Sequence, residues 1–229
     1  MLLEGIQECP TRHPSSVCAP LPPDDLRETA LNPYSYVPHL PQWQLRAVAG
    51  IVFADQGDYL EALKCCAQGG NLECMAVCVQ VYLRMDRPDQ AERMAATMMQ
   101  TDEDASISQL CNAWACLALG GAKVMDACYT FQELAERYSW TAALYNGCAV
   151  AHMKMGQWDE AERELTEALG RAPEDPESLA NMYVCSQHLG RATSAKYLEQ
   201  LGQSAPGHTL LSRLAQAEAN FDASAAAFA

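Results

Sequence analysis

The sequence predicts an all-α protein, a solenoid of about five helix hairpins followed by a C-terminal capping helix. From Gln42 onward, apolar and small residues recur at helical spacing, and glycine-containing breaks interrupt them at similar intervals. The clearest unit runs from Thr141 to Pro176 and breaks at Gly156. Its length of about 34 residues is the period of a tetratricopeptide repeat. The predicted fold class is therefore a tetratricopeptide-like α-α superhelix.

Composition narrows the classes of function. The 229 residues include 15 Lys and Arg against 29 Asp and Glu, which gives a formal charge of −14. Such a chain repels phosphate backbones and anionic membranes on average, so we expect no nucleic-acid partner. No apolar run approaches the roughly 20 residues of a membrane span, and no basic region followed by an apolar core opens the chain. These features favour a cytoplasmic location.

The eleven cysteines are an odd number and follow no secretory signal, so we expect reduced thiols. Cys74 with Cys78, and Cys148 with His152, are each one helical turn apart. Zinc needs four donors, and the sequence contains neither CxxC nor HxxxH. Small buried packing residues are the favoured interpretation, and we predict no metal site and no cofactor.

Residues 1–41 differ from the rest of the chain. Eight prolines occur in this segment and prevent helix propagation, and its apolar residues show no sustained period. We expect it to be extended or disordered, separate from a helical repeat domain over residues 42–229. A Pro-rich binding motif is the alternative for this segment.

Five helix pairs are predicted in order, with Asp58 and Asp175 as candidate caps and Asp86 near the cap of the helix that begins at Pro88. Their bounds are Trp43 to Phe53 with Asp58 to Gly69, Leu72 to Met85 with Pro88 to Met99, Ala105 to Leu119 with Lys123 to Tyr138, two helices on either side of Gly156, and Asp175 to Leu189 with Thr193 to Leu201. His208 to Phe221 is the predicted capping helix.

The spacing of one small residue in the second helix of each pair tests whether the pairs follow a constant repeat. Successive members are 29, 36, 34 and 34 residues apart, and they are Ala62, Ala91, Ala127, Ala161 and Ala195. A small side chain is expected where two helices approach closely, with Phe131 and Leu165 as the large residues four positions later. These positions favour a solenoid over an ordinary helix bundle.

Several local runs carry a more specific resemblance. In order along the chain they are GGNLECMAVCVQVYLRMDRPDQAER (69–93), TDEDASISQLCNAWACLALGG (101–121), ACYTFQELAERY (127–138), LYNGCAVAHMKMGQWDEAERELTEAL (144–169), ESLANMYVCSQHLGR (177–191) and AEANFD (217–222). This ordered series resembles the epsilon subunit of coatomer, the COPI vesicle coat. The resemblance covers about residues 42 to 222. Family members carry further N-terminal helical repeats, so we expect this chain to lack or replace them and to leave an apolar face near Trp43 and Leu45 unpaired.

The resemblance implies a non-catalytic structural subunit of the COPI coat, acting in Golgi-to-endoplasmic-reticulum retrograde and intra-Golgi transport. It implies that the chain binds the C-terminal domain of the coatomer alpha subunit and, through it, the rest of the coat. It also implies a peripheral location on the cytosolic face of Golgi membranes and COPI vesicles. Any membrane association would be indirect.

Stacked helix pairs leave a concave face that can hold an extended or helical segment of a partner. On the repeat register, the inward positions of the first helices are the candidate partner-binding residues. They are Gln80, Arg84, Asn112, Cys116, Asn146, Val150, Gln187 and His188.

The residues suggest two other classes of function. Cys148 with His152 could form a nucleophile and base, but both lie on one helix without an orienting third group, so we predict no catalytic residues and no enzyme activity. A generic tetratricopeptide-repeat adaptor or co-chaperone that grips a carboxylate in a basic groove is the remaining alternative. Arg84 and Lys154 are its candidate cations.

Overall fold

The structure, a computed structural model, describes residues 42–228 of the chain. The predicted Pro-rich segment 1–41 lies outside the described residues. Within 42–228 the chain forms helices joined by short turns, without a β-strand. The helices are α1 (Gln42–Asp55), α2 (Tyr59–Ala67), α3 (Leu72–Arg84), α4 (Pro88–Thr101), α5 (Ser106–Leu119), α6 (Lys123–Arg137), α7 (Ala142–Lys154), α8 (Trp158–Arg171), α9 (Pro176–His188), α10 (Ser194–Ser204) and α11 (Thr209–Phe228). The predicted all-α class and its helix pairs are confirmed.

Left-handed residues end the first helix of each pair. Gly57 and Gly156, for example, have φ of 81° and 76°, values that an L side chain adopts only with strain. The turn between α3 and α4 has no glycine, and Asp86 takes the left-handed position with φ of 56°. Arg87 is the N-cap of α4, so Asp86 lies one residue before the cap, near it as predicted. Aspartate tolerates this region better than most residues.

Short polar side chains start other helices as expected. The Asp58 carboxylate accepts the N–H of Glu61, and the Asp175 carboxylate accepts the N–H of Ser178 at 2.9 Å. Thr141 caps α7 in the same way. These bonds satisfy backbone donors that the first turn leaves without partners.

Four of the five register alanines lie where the repeat predicts. Ala62, Ala91, Ala127 and Ala161 are completely buried, whereas Ala195 is exposed and Ser194 is buried in its place. The turn before α8 covers residues 155–157, but the turn before α10 covers residues 189–193. The longer turn changes the phase of α10 by one residue, which a fixed period could not anticipate.

The described residues divide into two compact units, with the boundary inside α5 between Cys111 and Asn112. In the first unit, residues 42–111, Trp43 and Phe53 pack against a buried cluster that includes Ala62, Cys66 and Val81. Trp43 and Leu45 are half-buried, and apolar residues beside them on α1 are exposed, as expected for an unpaired face. The exposed large apolar residues of this unit are Val48, Ile51, Val52 and Leu60.

In the second unit, residues 112–228, α9 is buried on most of its circumference. Met182 and Cys185 pack with Leu165 of α8, while Leu179 packs with Leu201 and Leu210 of α10 and α11. A separate close approach joins α6 and α7, where the backbone of Gly147 faces the ring of Phe131. A Cβ at residue 147 would lie 3.1 Å from that ring.

A buried polar pair ties α9 to the start of α11. His208 and Glu177 are 8% and 6% exposed, and their Nε2 and Oε1 atoms lie 3.0 Å apart. The N–H of Leu210 donates to His208 Nδ1 at 3.2 Å, so the ring proton is on Nε2 and is donated to the Glu177 carboxylate. The pair therefore orders the chain just before α11.

Among the described residues, the final helix contacts other helices only through its first turns. Leu210, Leu211 and Leu214 pack on the α9–α10 cluster, whereas residues 215–226 are exposed on every side. The helix continues past the predicted end at Phe221, which is itself 72% exposed. Alanine-rich sequence supports this extension because alanine has the highest helix propensity.

Replacing a glycine in a left-handed turn and replacing a glycine within a helix are expected to change stability in opposite directions. We expect Gly156→Ala to lower the free energy of unfolding by about 1–2 kcal/mol, because the Cβ strains a positive φ. Gly170→Ala in α8 should raise it by about 0.5 kcal/mol, since alanine favours the helix. Both sites have open space for a Cβ. Thermal unfolding followed by circular dichroism separates the two, and equal midpoints would contradict the conformational explanation.

The His208–Glu177 pair gives a second prediction. His208→Leu should destabilise the second unit by about 2–4 kcal/mol, because it removes the imidazole donor of a buried carboxylate. Glu177→Gln is the matched variant, since an amide oxygen still accepts from Nε2–H, and it should retain most of the stability. Denaturant unfolding measures both variants. A loss as large for Glu177→Gln as for His208→Leu would show that the imidazole bond is not the important interaction.

Candidate partner-binding surface

The eight predicted partner-binding residues all lie on first helices of their pairs, as the register requires. In the first unit, Gln80 and Arg84 are half-buried on α3. In the second unit, five residues are at least partly accessible on α5, α7 and α9, namely Asn112, Cys116, Asn146, Gln187 and His188. Val150 is only 5% exposed and packs in the interior of this unit, so it offers almost no surface in the free chain.

Side-chain amides meet between α7 and α9. Asn181 Nδ2 donates to Asn146 Oδ1 at 2.9 Å, and Asn181 is 8% exposed. The sequence prediction included Asn146 but missed Asn181. The sequence could have identified Asn181, because residues 112, 146 and 181 are all asparagine and are spaced at nearly the repeat period. Each amide can donate and accept, which suits a surface that binds main-chain groups of a partner.

The two candidate cations of the first helices are already engaged within the chain. Arg84 Nη1 lies 3.0 Å from Asp55 Oδ1, and the Arg84 side chain is 20% exposed. Lys154 Nζ donates to the carbonyl oxygen of Leu117 at 2.7 Å, in the last turn of α5. A lysine at a helix C-terminus satisfies a carbonyl there and is stabilised by the helix dipole.

The predicted residues at the end of α9 have intramolecular contacts as well. The His188 ring stacks on Trp158 with centroids 3.9 Å apart and planes 8° from parallel. Gln187 Nε2 donates to the Ser194 hydroxyl at 3.1 Å. Both side chains remain exposed at the surface. They form a polar and aromatic edge next to the first turn of α8 and α10.

The cysteines confirm the packing interpretation over residues 42–228. Seven are buried, and all nine in this range are free thiols. Burial raises the pKa of Cys111 to about 12 and that of Cys185 to about 11, which keeps both protonated. Groups of three or more possible metal ligands are absent from the described residues, and none of the described helices is long and apolar enough to cross a bilayer.

These features define the chain as a tetratricopeptide-like helical repeat protein with an amide-containing surface on its first helices. Comparison with known proteins supports the class and adds the family. The family model described as "Coatomer epsilon subunit" matches residues 42–229. The chain therefore belongs to the coatomer epsilon subunit family, and the resemblance noted in the sequence is confirmed.

Curated relatives support the same family. Coatomer subunit epsilon-1 of Oryza sativa subsp. japonica is 47% identical over 178 residues, which are 78% of this chain and 62% of the relative. Coatomer subunit epsilon-1 of Arabidopsis thaliana is 44% identical over 185 residues, or 81% of this chain and 63% of the relative. The chain thus spans less than two thirds of the length of these relatives.

Solved structures show the fold. The thermophilic TPR protein TTC0263 of Thermus thermophilus aligns with a TM-score of 0.66 and 18% identity, covering 78% of this chain and 99% of that chain. A MamA fragment from Desulfovibrio magneticus RS-1 aligns with a TM-score of 0.54 and 10% identity, covering 74% of this chain and 98% of that chain. At these identities the likeness concerns the helix-hairpin fold alone.

The amide pair is expected to couple α7 to α9. Asn146→Ala should cost about 1–2 kcal/mol of unfolding free energy, because it leaves the mostly buried Asn181 amide without this acceptor. The double variant Asn146→Ala/Asn181→Ala should cost less than the sum of the single variants, as expected for groups in contact. A double-mutant cycle by chemical denaturation measures the coupling. Additive losses would show that the hydrogen bond does not stabilise the fold.

Proposed function

We propose that the chain is a non-catalytic structural subunit of the COPI coat that binds the C-terminal domain of the coatomer alpha subunit. The observation that carries the proposal is the family match over residues 42–229, which includes every described helix. The chain spans about 62% of the length of the rice relative. That this shorter chain still binds the alpha subunit is therefore itself part of the proposal.

The first-helix surface supports a protein partner. In the second unit its accessible members are amides, a thiol and an imidazole, with Asn146 held by Asn181 and His188 held by Trp158. Side chains with fixed positions lose little conformational entropy when a partner binds. Amide groups can bind the backbone or polar side chains of a segment laid along the face.

The same surface gives less support to a carboxylate-binding adaptor. That alternative needs cations free to bind the end of a peptide. Arg84 pairs with Asp55, and Lys154 donates to the Leu117 carbonyl. A carboxylate that binds either cation would have to displace its internal contact, in a chain whose formal charge is −14. We therefore favour the coat subunit over the adaptor.

Location follows from the proposed partner. A subunit held by the alpha subunit would lie on the cytosolic face of Golgi membranes and COPI vesicles and act in retrograde and intra-Golgi transport. Its membrane association would be peripheral and would depend on the coat.

A binding experiment tests the assignment. The immobilised C-terminal domain of the alpha subunit should retain the purified chain, whereas an immobilised chaperone tail peptide with a free carboxylate should not. Asn146→Arg should weaken binding to the alpha domain by about tenfold or more, because a longer charged side chain replaces an amide on this face. Biolayer interferometry measures the dissociation constants.

Thr166→Arg is the matched control, since it adds the same charge at an exposed position of a second helix. It should leave binding unchanged, and the rice epsilon-1 relative serves as the positive control for the immobilised domain. If the relative binds and the present chain does not, the proposed function is wrong. If both arginine variants bind equally well, the first-helix face is not the interface.

A further inference from the structure

An exposed apolar pair lies on the solvent side of α6, the second helix of its pair. Met125 and Tyr129 are one helical turn apart and are 40% and 61% exposed. The opposite side of α6 is buried, with Phe131 and Leu134 in the interior of the second unit. Met125 and Tyr129 are therefore presented to solvent by a helix that is well packed on its other side.

The equivalent positions in other second helices carry charge. Met125 and Tyr129 lie two residues before and two residues after the register alanine Ala127. The exposed residues with the same offsets in α2, α4 and α8 are Leu60 with Lys64, Asp89 with Arg93, and Asp159 with Arg163. Each of those three pairs contains at least one charged side chain, whereas the pair on α6 contains none. The apolar surface is therefore particular to α6 and is not imposed by the repeat.

Acidic side chains continue the same side of α6 toward its end. Glu133 and Glu136 follow Tyr129 by four and seven residues, a spacing that keeps them on one side of a helix, and both are exposed. Arg137 pairs with Glu133 at 2.9 Å, whereas Glu136 makes no ion pair with another described residue. The carbonyl groups at the end of the helix add partial negative charge there. We call Met125, Tyr129, Glu133 and Glu136 the α6 strip, which is about 17 Å long.

We propose that the α6 strip is a docking surface for a basic segment of a protein partner. Charge selects this occupant. A chain with a formal charge of −14 repels a second copy of itself, an anionic membrane surface and a nucleic acid, whereas it attracts a segment rich in lysine or arginine.

The two halves of the strip suit different groups of such a segment. A lysine or arginine can lie over the exposed Tyr129 ring, because the face of an aromatic ring attracts cations. An apolar side chain next to that cation can pack on Met125, whose flexible thioether adapts to different shapes. A second cation further along the segment lies close to the Glu136 carboxylate. An amphipathic basic helix presents these groups at intervals of three and four residues, which match the strip.

The strip is separate from the surface proposed for the alpha subunit. That surface is on first helices, whereas the strip is on a second helix and shares none of its residues. The inference thus goes beyond the proposed function, and either can fail without the other. Four side chains bury little area, so the binding is expected to be weak and sensitive to salt.

The test uses the purified full chain and a fluorescein-labelled synthetic peptide of about 14 residues, an amphipathic helix of leucine, lysine and alanine that is long enough to cover the strip. Fluorescence anisotropy measures the dissociation constant. Tyr129→Ser should weaken binding by about fivefold, because the ring that holds the cation is lost. Glu136→Gln should weaken it by about threefold, because an exposed charge pair is lost.

Glu167→Gln is the matched control. Glu167 has the position in α8 that Glu133 has in α6, and it is also exposed, so the variant removes one charge from a second helix without the apolar pair. It should change the affinity by less than about 1.5-fold, since salt screens distant charges. Circular dichroism verifies that each variant is folded. Losses no larger for Tyr129→Ser and Glu136→Gln than for Glu167→Gln would overturn the proposal, because binding would then follow net charge alone.

Photo-cross-linking identifies the occupant directly. With a benzophenone analogue of phenylalanine at residue 129, illumination should give an adduct of one chain and one peptide, located on α6 by mass spectrometry. A cross-link to a second copy of the chain, or to residues 1–41 of the same chain, in preference to the peptide would overturn the proposal, since the strip would then have a different occupant.

Discussion

Close approach between consecutive helices is the constraint on which the fold depends. Ala62, Ala91, Ala127 and Ala161 are completely buried at equivalent positions, and Gly147 lets the ring of Phe131 contact the backbone of α7. Larger side chains at such positions would separate the helices and open voids beside them. The same crowding explains the seven buried cysteines, which fill these spaces as small apolar groups.

The fold was largely predictable because the residues that begin and end its helices act locally. Gly57 and Gly156 end helices through their own backbone preference, and Asp58 and Asp175 begin the next ones, so each signal lies within a few residues of its effect. Asp86 replaces glycine in a left-handed turn, and nothing in its neighbours distinguishes that role from a cap. Ser194 replaces Ala195 because a turn two residues longer changes the phase of α10, and turn length depends on tertiary packing.

The candidate surface was predictable only in part, because burial and pairing are decided between helices. The register placed Asn146 on a first helix, but its partner Asn181 is 35 residues away in the sequence. Val150 satisfied the same register and is nevertheless buried. His152 was compared with Cys148, one turn away, whereas the thiol that faces it is Cys128 from the preceding helix. Family membership does not depend on these contacts and came from ordered local runs of sequence.

The one-sided anchoring of α11 has a consequence for its stability. His208, Leu210 and Leu214 fix the beginning of the helix, whereas the exposed residues 215–226 are held by hydrogen bonds within the helix, including that from the Ser224 hydroxyl to the Asn220 carbonyl, and by the helix propensity of alanine. An isolated helical segment of this length is marginal in water, so it opens and closes without the rest of the chain. Amide hydrogens in this half of α11 should therefore exchange with solvent through local fraying, while those of α9 exchange only when the whole second unit unfolds. The last turns of α11 therefore unfold independently, whereas the rest of the second unit unfolds cooperatively.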